Sequence, residues 1–127
     1  TALGEHELVH SVEFPSQGSG TGSAYLKFEH PASGYAVVGA AAWVSMDGNQ
    51  CSGAGLAFNG LAATPHVVDV SGLVGGSADD AAIEAITSTI EAADPLSDVF
   101  ASGEYRVHLA RVYGKRALAA ARYRAAG

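Results

Sequence analysis

Cysteine is nearly absent from this chain: Cys51 stands alone among 127 residues. That excludes an internal disulfide and any zinc site built from paired cysteines. Its neighbours Gln50 and Ser52 offer no basic partner to activate it, so a buried, inert thiol is expected. Long apolar runs are also missing. Without a stretch of about 18 apolar residues or a basic-then-apolar leader, neither a membrane span nor a signal peptide is expected, and the chain reads as cytoplasmic. Basic residues are scarce until the end. Six of the seven (Arg106, Arg111, Lys115, Arg116, Arg122, Arg124) fall in the last 22 positions, while all thirteen acids lie at or before Glu104. A cationic final helix packing beside the acidic segment Asp79 to Asp98 accounts for this better than a nucleic-acid surface, so no nucleic-acid partner is expected.

What is present fits one domain over residues 1–127, since 48% apolar content over this length supports a single core. Its expected parts are a lead-in strand and Gly/Ser linker (1–23), an antiparallel meander (24–61) and a helical layer (62–127). The lead-in contains HELVH, an apparent match to the zinc-peptidase pattern. That chemistry needs a helix to bring His6 and His10 onto one face, with the Glu as base. Here His6, Leu8, His10, Val12 and Phe14 alternate with Glu7, Val9, Ser11 and Glu13, which predicts a strand ending at Pro15. In a strand the two histidines stand roughly 13 Å apart, too far to share an ion. Ser16 to Ser23 resembles a phosphate loop in its glycines, but it opens a β-type run instead of a helix and reads as a linker.

Three strands follow, over Ala24 to His30, Tyr35 to Ser45 and Cys51 to Leu61. Pro31 and Gly34 turn the chain between the first two, and Asp47-Gly48 marks a hairpin between the others. The middle strand is small and apolar throughout, which predicts cover on both faces, with Gly39 and Ala40 to Ala42 admitting a close neighbour. Over residues 62–76, Val67, Val68 and Val70 suit a strand. Ser77 is the expected N-cap of a helix whose stripe is Ile83, Ile86 and Ile90 and which stops near Pro95. Ser102 is expected to cap the last helix, to about Arg124, where Tyr105, Leu109, Val112, Arg116, Ala119 and Tyr123 recur at three- and four-residue steps and make a face that is inward apart from Arg116. A partly buried Arg106 or Arg116 requires a carboxylate, from Asp98 or Asp94.

The string YLKFEHPASGYAVVGAAA (Tyr25 to Ala42), followed by SDVFASGEYRVHLARVYGKRAL (Ser97 to Leu118), resembles the C-terminal domain of the flavoprotein (medium) subunit of carbon monoxide dehydrogenase type molybdenum hydroxylases, relatives of xanthine dehydrogenase. The resemblance runs from Leu3 to about Ala121. It implies an α+β fold in which a three- to four-stranded antiparallel sheet is followed by, and packed against, a bundle of two to three helices. Within residues 62–76, where the valines suit a strand, it implies a short helix before Gly72 to Gly76. It also implies an FAD held mainly by two preceding domains, with molybdopterin and iron–sulfur subunits as further partners. By resemblance, the turn bordering the flavin maps to Lys27, His30, Ser33, Gly34 and Tyr35: positive charge from Lys27, hydrogen bonds from His30 and Ser33, an aromatic or hydroxyl contact from Tyr35. The chain alone would break no bonds and carry no FAD. Its isolated form should expose an apolar patch. A freestanding binding or dimerisation module is the alternative, and a zinc peptidase the least favoured reading.

Overall fold

The computed structural model describes residues 3–126. Four antiparallel strands in spatial order β1-β2-β3-β4 form one sheet: β1 Thr21–Glu29, β2 Ala36–Asp47, β3 Gln50–Asn59 and β4 His66–Val68. A 3₁₀ turn, Ser71–Leu73, leads to α1 (Asp80–Ser88), and α2 (Gly103–Ala125) is the last element among the described residues. The architecture is the expected α+β sheet-and-helix arrangement. Gly48, at φ 58°, supplies the left-handed residue that the Asp-Gly hairpin requires, and Asp47 pairs with Gln50 across it.

The core lies between the sheet and α2. Strand alternation sends Ala24 from β1, Val38, Ala40, Ala42 and Val44 from β2, and Leu56 and Phe58 from β3 onto one buried face. Against them α2 lays Ala110, Gly114, Ala117 and Ala121, a ridge at four- and three-residue steps, with Leu109 and Leu118 beside it. This corrects the expected inward face. Leu109 is buried as expected, but Tyr105 and Tyr123 are exposed and Val112 and Ala119 only partly covered, while Arg116, the excepted position, is exposed. The helix comes so near the strands that only small side chains fit beneath it, so the large ones move to its flanks. There Tyr105 and Tyr113 meet the ring of Phe28 edge-on, at centroid distances of 6.2 and 6.3 Å. Gly22 sets the approach: a Cβ there would collide with the backbone of Ala121 and Ala125. The sequence places Gly22 in the linker. Instead β1 begins at Thr21, because Thr21 Oγ1 and Ser45 Oγ hydrogen-bond across the strands at 2.7 Å.

Other expectations shift for identifiable reasons. The lead-in over His6 to Phe14 forms no strand and is exposed, and its backbone pairs with neither edge of the sheet. Residues 7–10 are not helical either, so His6 and His10 do not share a helix face. Within the segment expected to be a helical layer, His66–Val68 adds a fourth strand, against β3. Asp79, not Ser77, caps α1: its carboxylate accepts from Ala82 N–H at 2.9 Å, while Ser77 Oγ donates to it at 2.7 Å. The helix ends at Ser88, well before Pro95, where the hydroxyls of Thr87, Ser88 and Thr89 donate back to the carbonyls of Ile83, Ala85 and Ile86. Cys51 is buried as expected. The basic last helix does lie beside the acidic segment, with Lys115 paired to Glu84 and Arg122 Nε donating to Ser77 O at 3.1 Å.

The far side of the sheet is open. Ala41 and Trp43 on β2 face solvent there, so the expected cover on both faces holds only at the start of the strand, where Val37 and Gly39 are buried. Tyr25 crosses Gly39 to donate to Asn59 Oδ1 at 3.2 Å. No helix in the described residues is long and apolar enough to cross a membrane.

Candidate functional site

The turn between β1 and β2 stands free at one end of the sheet, beneath no helix. It closes through His30 N–H to Tyr35 O (2.8 Å) and Gly34 N–H to His30 O (2.9 Å), with Gly34 at φ 71°. Inside the loop, His30 Nδ1 is approached by the N–H groups of Ala32 (3.3 Å) and Ser33 (3.4 Å) and by Ser33 Oγ (3.2 Å), and Ser33 Oγ accepts from Tyr35 N–H at 3.4 Å. Backbone amides only donate. Nδ1 must therefore carry the lone pair, which assigns the neutral tautomer with its proton on Nε2, and Ser33 O–H donates inward.

The chemical outcome is a turn whose own N–H groups are all used internally. What it offers outward is side chain: the His30 Nε2–H, the Tyr35 ring and hydroxyl, and the cation of Lys27. Tyr35 is 79% exposed. Lys27 sits one strand position inward from the bulge at Phe28/Glu29, and its ammonium donates to Gly34 O at 2.8 Å and pairs with Glu29 at 3.2 Å. Its charge is thus partly balanced and its position fixed. The structure gathers Lys27, His30, Ser33, Gly34 and Tyr35 into one hydrogen-bonded unit.

One neighbour on this surface has no local signal in the sequence. The loop before α2 brings Phe100 against His30, ring centroids 4.5 Å apart and nearly perpendicular, with Val99 fully outward beside it. Asp98 holds that loop. Its Oδ1 accepts from Phe100 N–H (2.9 Å) and Ala101 N–H (3.0 Å), and its Oδ2 accepts from Arg106 at 2.7 Å. Those amides, Phe100's foremost, and then the Arg106 guanidinium hold the Asp98 carboxyl below the usual carboxylate range. Arg106 is itself buried and donates through one nitrogen to Val37 O (2.5 Å) and Gly60 O (2.8 Å), while its Nε has no partner among the described residues. Of the pairings expected for Arg106 or Arg116 with Asp98 or Asp94, the one present is Asp98 with Arg106.

A second surface is the open sheet face, where the indole of Trp43 lies across Gly53 and Gly55 of β3; a Cβ at Gly55 would strike it. Phe14, Tyr25, Val67 and Arg124 border the same shallow groove. No group of three or more potential metal ligands occurs among the described residues.

The family model for the CO dehydrogenase flavoprotein C-terminal domain matches residues 23–121. The carbon monoxide dehydrogenase medium chain of Afipia carboxidovorans is 33% identical over 128 residues, a match spanning 98% of this chain and 44% of that protein. Among solved structures, the carbon monoxide dehydrogenase of Hydrogenophaga pseudoflava, in a form lacking the Mo-pyranopterin moiety of its cofactor, superposes with a TM-score of 0.76 at 27% identity, over 87% of this chain and 39% of that one. Quinoline 2-oxidoreductase from Pseudomonas putida 86 superposes with a TM-score of 0.71 at 27% identity, over 84% of this chain and 39% of that one. The chain thus spans less than half the length of the relatives it matches. Sequence and fold agree: this chain belongs to the CO dehydrogenase flavoprotein C-terminal domain family.

Proposed function

We propose that this chain is the accessory C-terminal part of an FAD-containing electron-transfer subunit of a molybdenum hydroxylase, that its β1–β2 turn borders the flavin, and that its open sheet face packs on the FAD-binding domains. Molybdopterin and iron–sulfur subunits would complete the assembly. The carrying observation is the turn: it is prebuilt and solvent-facing, with the His30 imidazole held at Nδ1 by the loop's own donors and the Tyr35 side chain 79% exposed. Such an edge fits a group gripped elsewhere. It has no enclosing walls and no amide cradle for a phosphate, so it suits bordering a flavin and not holding one unaided. When bound, the flavin supplies the electron-carrying chemistry, and the charge and hydrogen bonds near its ring tune that chemistry. In this chain those groups are Lys27, set back behind Gly34 O, and the His30 Nε2–H.

The exposed apolar side chains support the same reading. Trp43, Tyr25 and Val67 on one sheet face form a larger aromatic and aliphatic surface than scattered exposure explains. The test is reconstitution. The chain by itself should lack visible flavin absorption, and FAD-binding domains added to it should recruit it in light scattering. A chain that purified yellow with stoichiometric FAD would overturn this division of labour, and one that formed stable dimers and ignored the FAD-binding domains would make it a self-association module.

A further inference from the structure

We propose that Asp98 is a positioning residue for the β1–β2 turn: by accepting from the N–H groups of Phe100 and Ala101 it stations the Phe100 ring against His30, which fixes the imidazole and the direction of its Nε2–H. This role rests on the reading of that turn as a flavin border, and deepens it. His30 is held on one side by the loop's own donors at Nδ1. Those contacts, at 3.2 to 3.4 Å, are long and leave the ring free to tilt about them. Phe100 supplies the other side. Its ring is 63% exposed and has no role in the core, so burial does not explain its station. What places it is the turn over residues 98–101, closed by the Asp98 carboxylate's two bonds to successive amides together with the main-chain bond from Asp98 N–H to Ala101 O at 3.1 Å. The carboxylate's other oxygen ties that turn to Arg106, which is bonded in turn to Val37 O at the start of β2, just beyond Tyr35. The two sequence blocks that carry the family resemblance therefore meet at this point, and the second block acts on the first.

The readout is the His30 ring itself, followed in long-range proton–nitrogen correlation spectra of the whole chain with labelled imidazoles, and assigned by loss of its signals in His30→Gln. The wild type should show Nδ1 bare and Nε2 protonated. Phe100→Ala and Asp98→Ala should displace the His30 ring protons in the same direction, because each removes the neighbouring aromatic ring. Asp98→Asn keeps an oxygen for the two amides while losing the carboxylate facing Arg106, so it should leave the His30 signals at their wild-type positions even as stability falls. A merely structural Asp98 predicts the reverse pattern. The proposal is overturned if Phe100→Ala moves nothing, if Asp98→Ala leaves His30 in place while Phe100→Ala moves it, or if Asp98→Asn displaces His30 as far as Asp98→Ala does. Phe100→Ala removes only a solvent-facing ring and leaves the fold intact, so it decides the matter even if Asp98→Ala fails to fold. The visible absorption of the flavin in the full-length subunit separates this proposal from the reading it rests on. A band displaced in Phe100→Ala supports both; an unchanged band beside a displaced His30 upholds the positioning role and overturns the flavin border.

Discussion

At the scale of single residues, Arg106 and Asp98 have different accounts despite sharing a bond. Arg106 is buried, and its guanidinium satisfies two main-chain carbonyls from two strand ends. Replacing it with Leu leaves Val37 O and Gly60 O without donors, at about 1–3 kcal/mol for each group stranded away from water. Urea unfolding should show that loss directly. Asp98 is half exposed, and its effect appears through pH. Because the folded state lowers its pKa, the unfolded chain takes up the proton first on acidification, near the ordinary carboxylate value of about 3.9. The stabilisation is complete above that value and lost as pH falls through the lower folded value. Asp79, lowered chiefly by Ala82 N–H, and Asp69, lowered chiefly by Ser71 N–H, share this sign. The stability gap between wild type and Asp98→Ala should therefore be constant above about pH 5 and close below about pH 4, read as Tm against pH. A gap that persists unchanged in acid would mean the carboxylate contributes nothing by its charge.

At the scale of elements, the contact between β1 and α2 is set by what is missing from side chains. Gly22 lets the last turns of the helix lie on the strand, and Arg124 donates to Ser23 O at 2.5 Å beside it. Gly22→Ala should force the two apart. Overpacking at such a contact costs about 1–3 kcal/mol, and because the obstructing atoms are helix backbone the upper part of that range is expected. Thermal unfolding measures it; an unchanged Tm would show that the helix end yields freely. The same elements show what the sequence could disclose. Turns are legible because their backbone demands a residue type: Gly34 and Gly48 both adopt positive φ. The inward face of α2 is not, since Ala110, Gly114, Ala117 and Ala121 carry little hydrophobic weight, and periodicity favours the tyrosines. The lead-in fails as a strand because alternation states which face is apolar without supplying a partner edge. The turn of the candidate site can be located from Pro31 and Gly34, but the pairing of Phe100 with His30 joins distant segments and leaves no local pattern.

At the scale of the whole molecule, the two sides of the sheet are built for different neighbours. One is sealed by α2; the other carries Trp43 over two glycines and is bordered by Phe14 of the lead-in and by Arg124. If that face docks on the FAD-binding domains, Trp43→Ser should weaken recruitment at least tenfold, on top of a lower Tm from giving up the indole's contact with Gly53 and Gly55. Titration calorimetry reads the first quantity and a melting scan the second. Loss of Tm without loss of recruitment would move the interface elsewhere. Trp43 is also the only tryptophan in the chain, and it stands on the surface assigned to the partner, away from the core. The protein thus carries an intrinsic fluorophore at the contact: its emission should be red-shifted in the free chain, insensitive to changes deep in the core, and blue-shifted when a tryptophan-free partner excludes water from the indole.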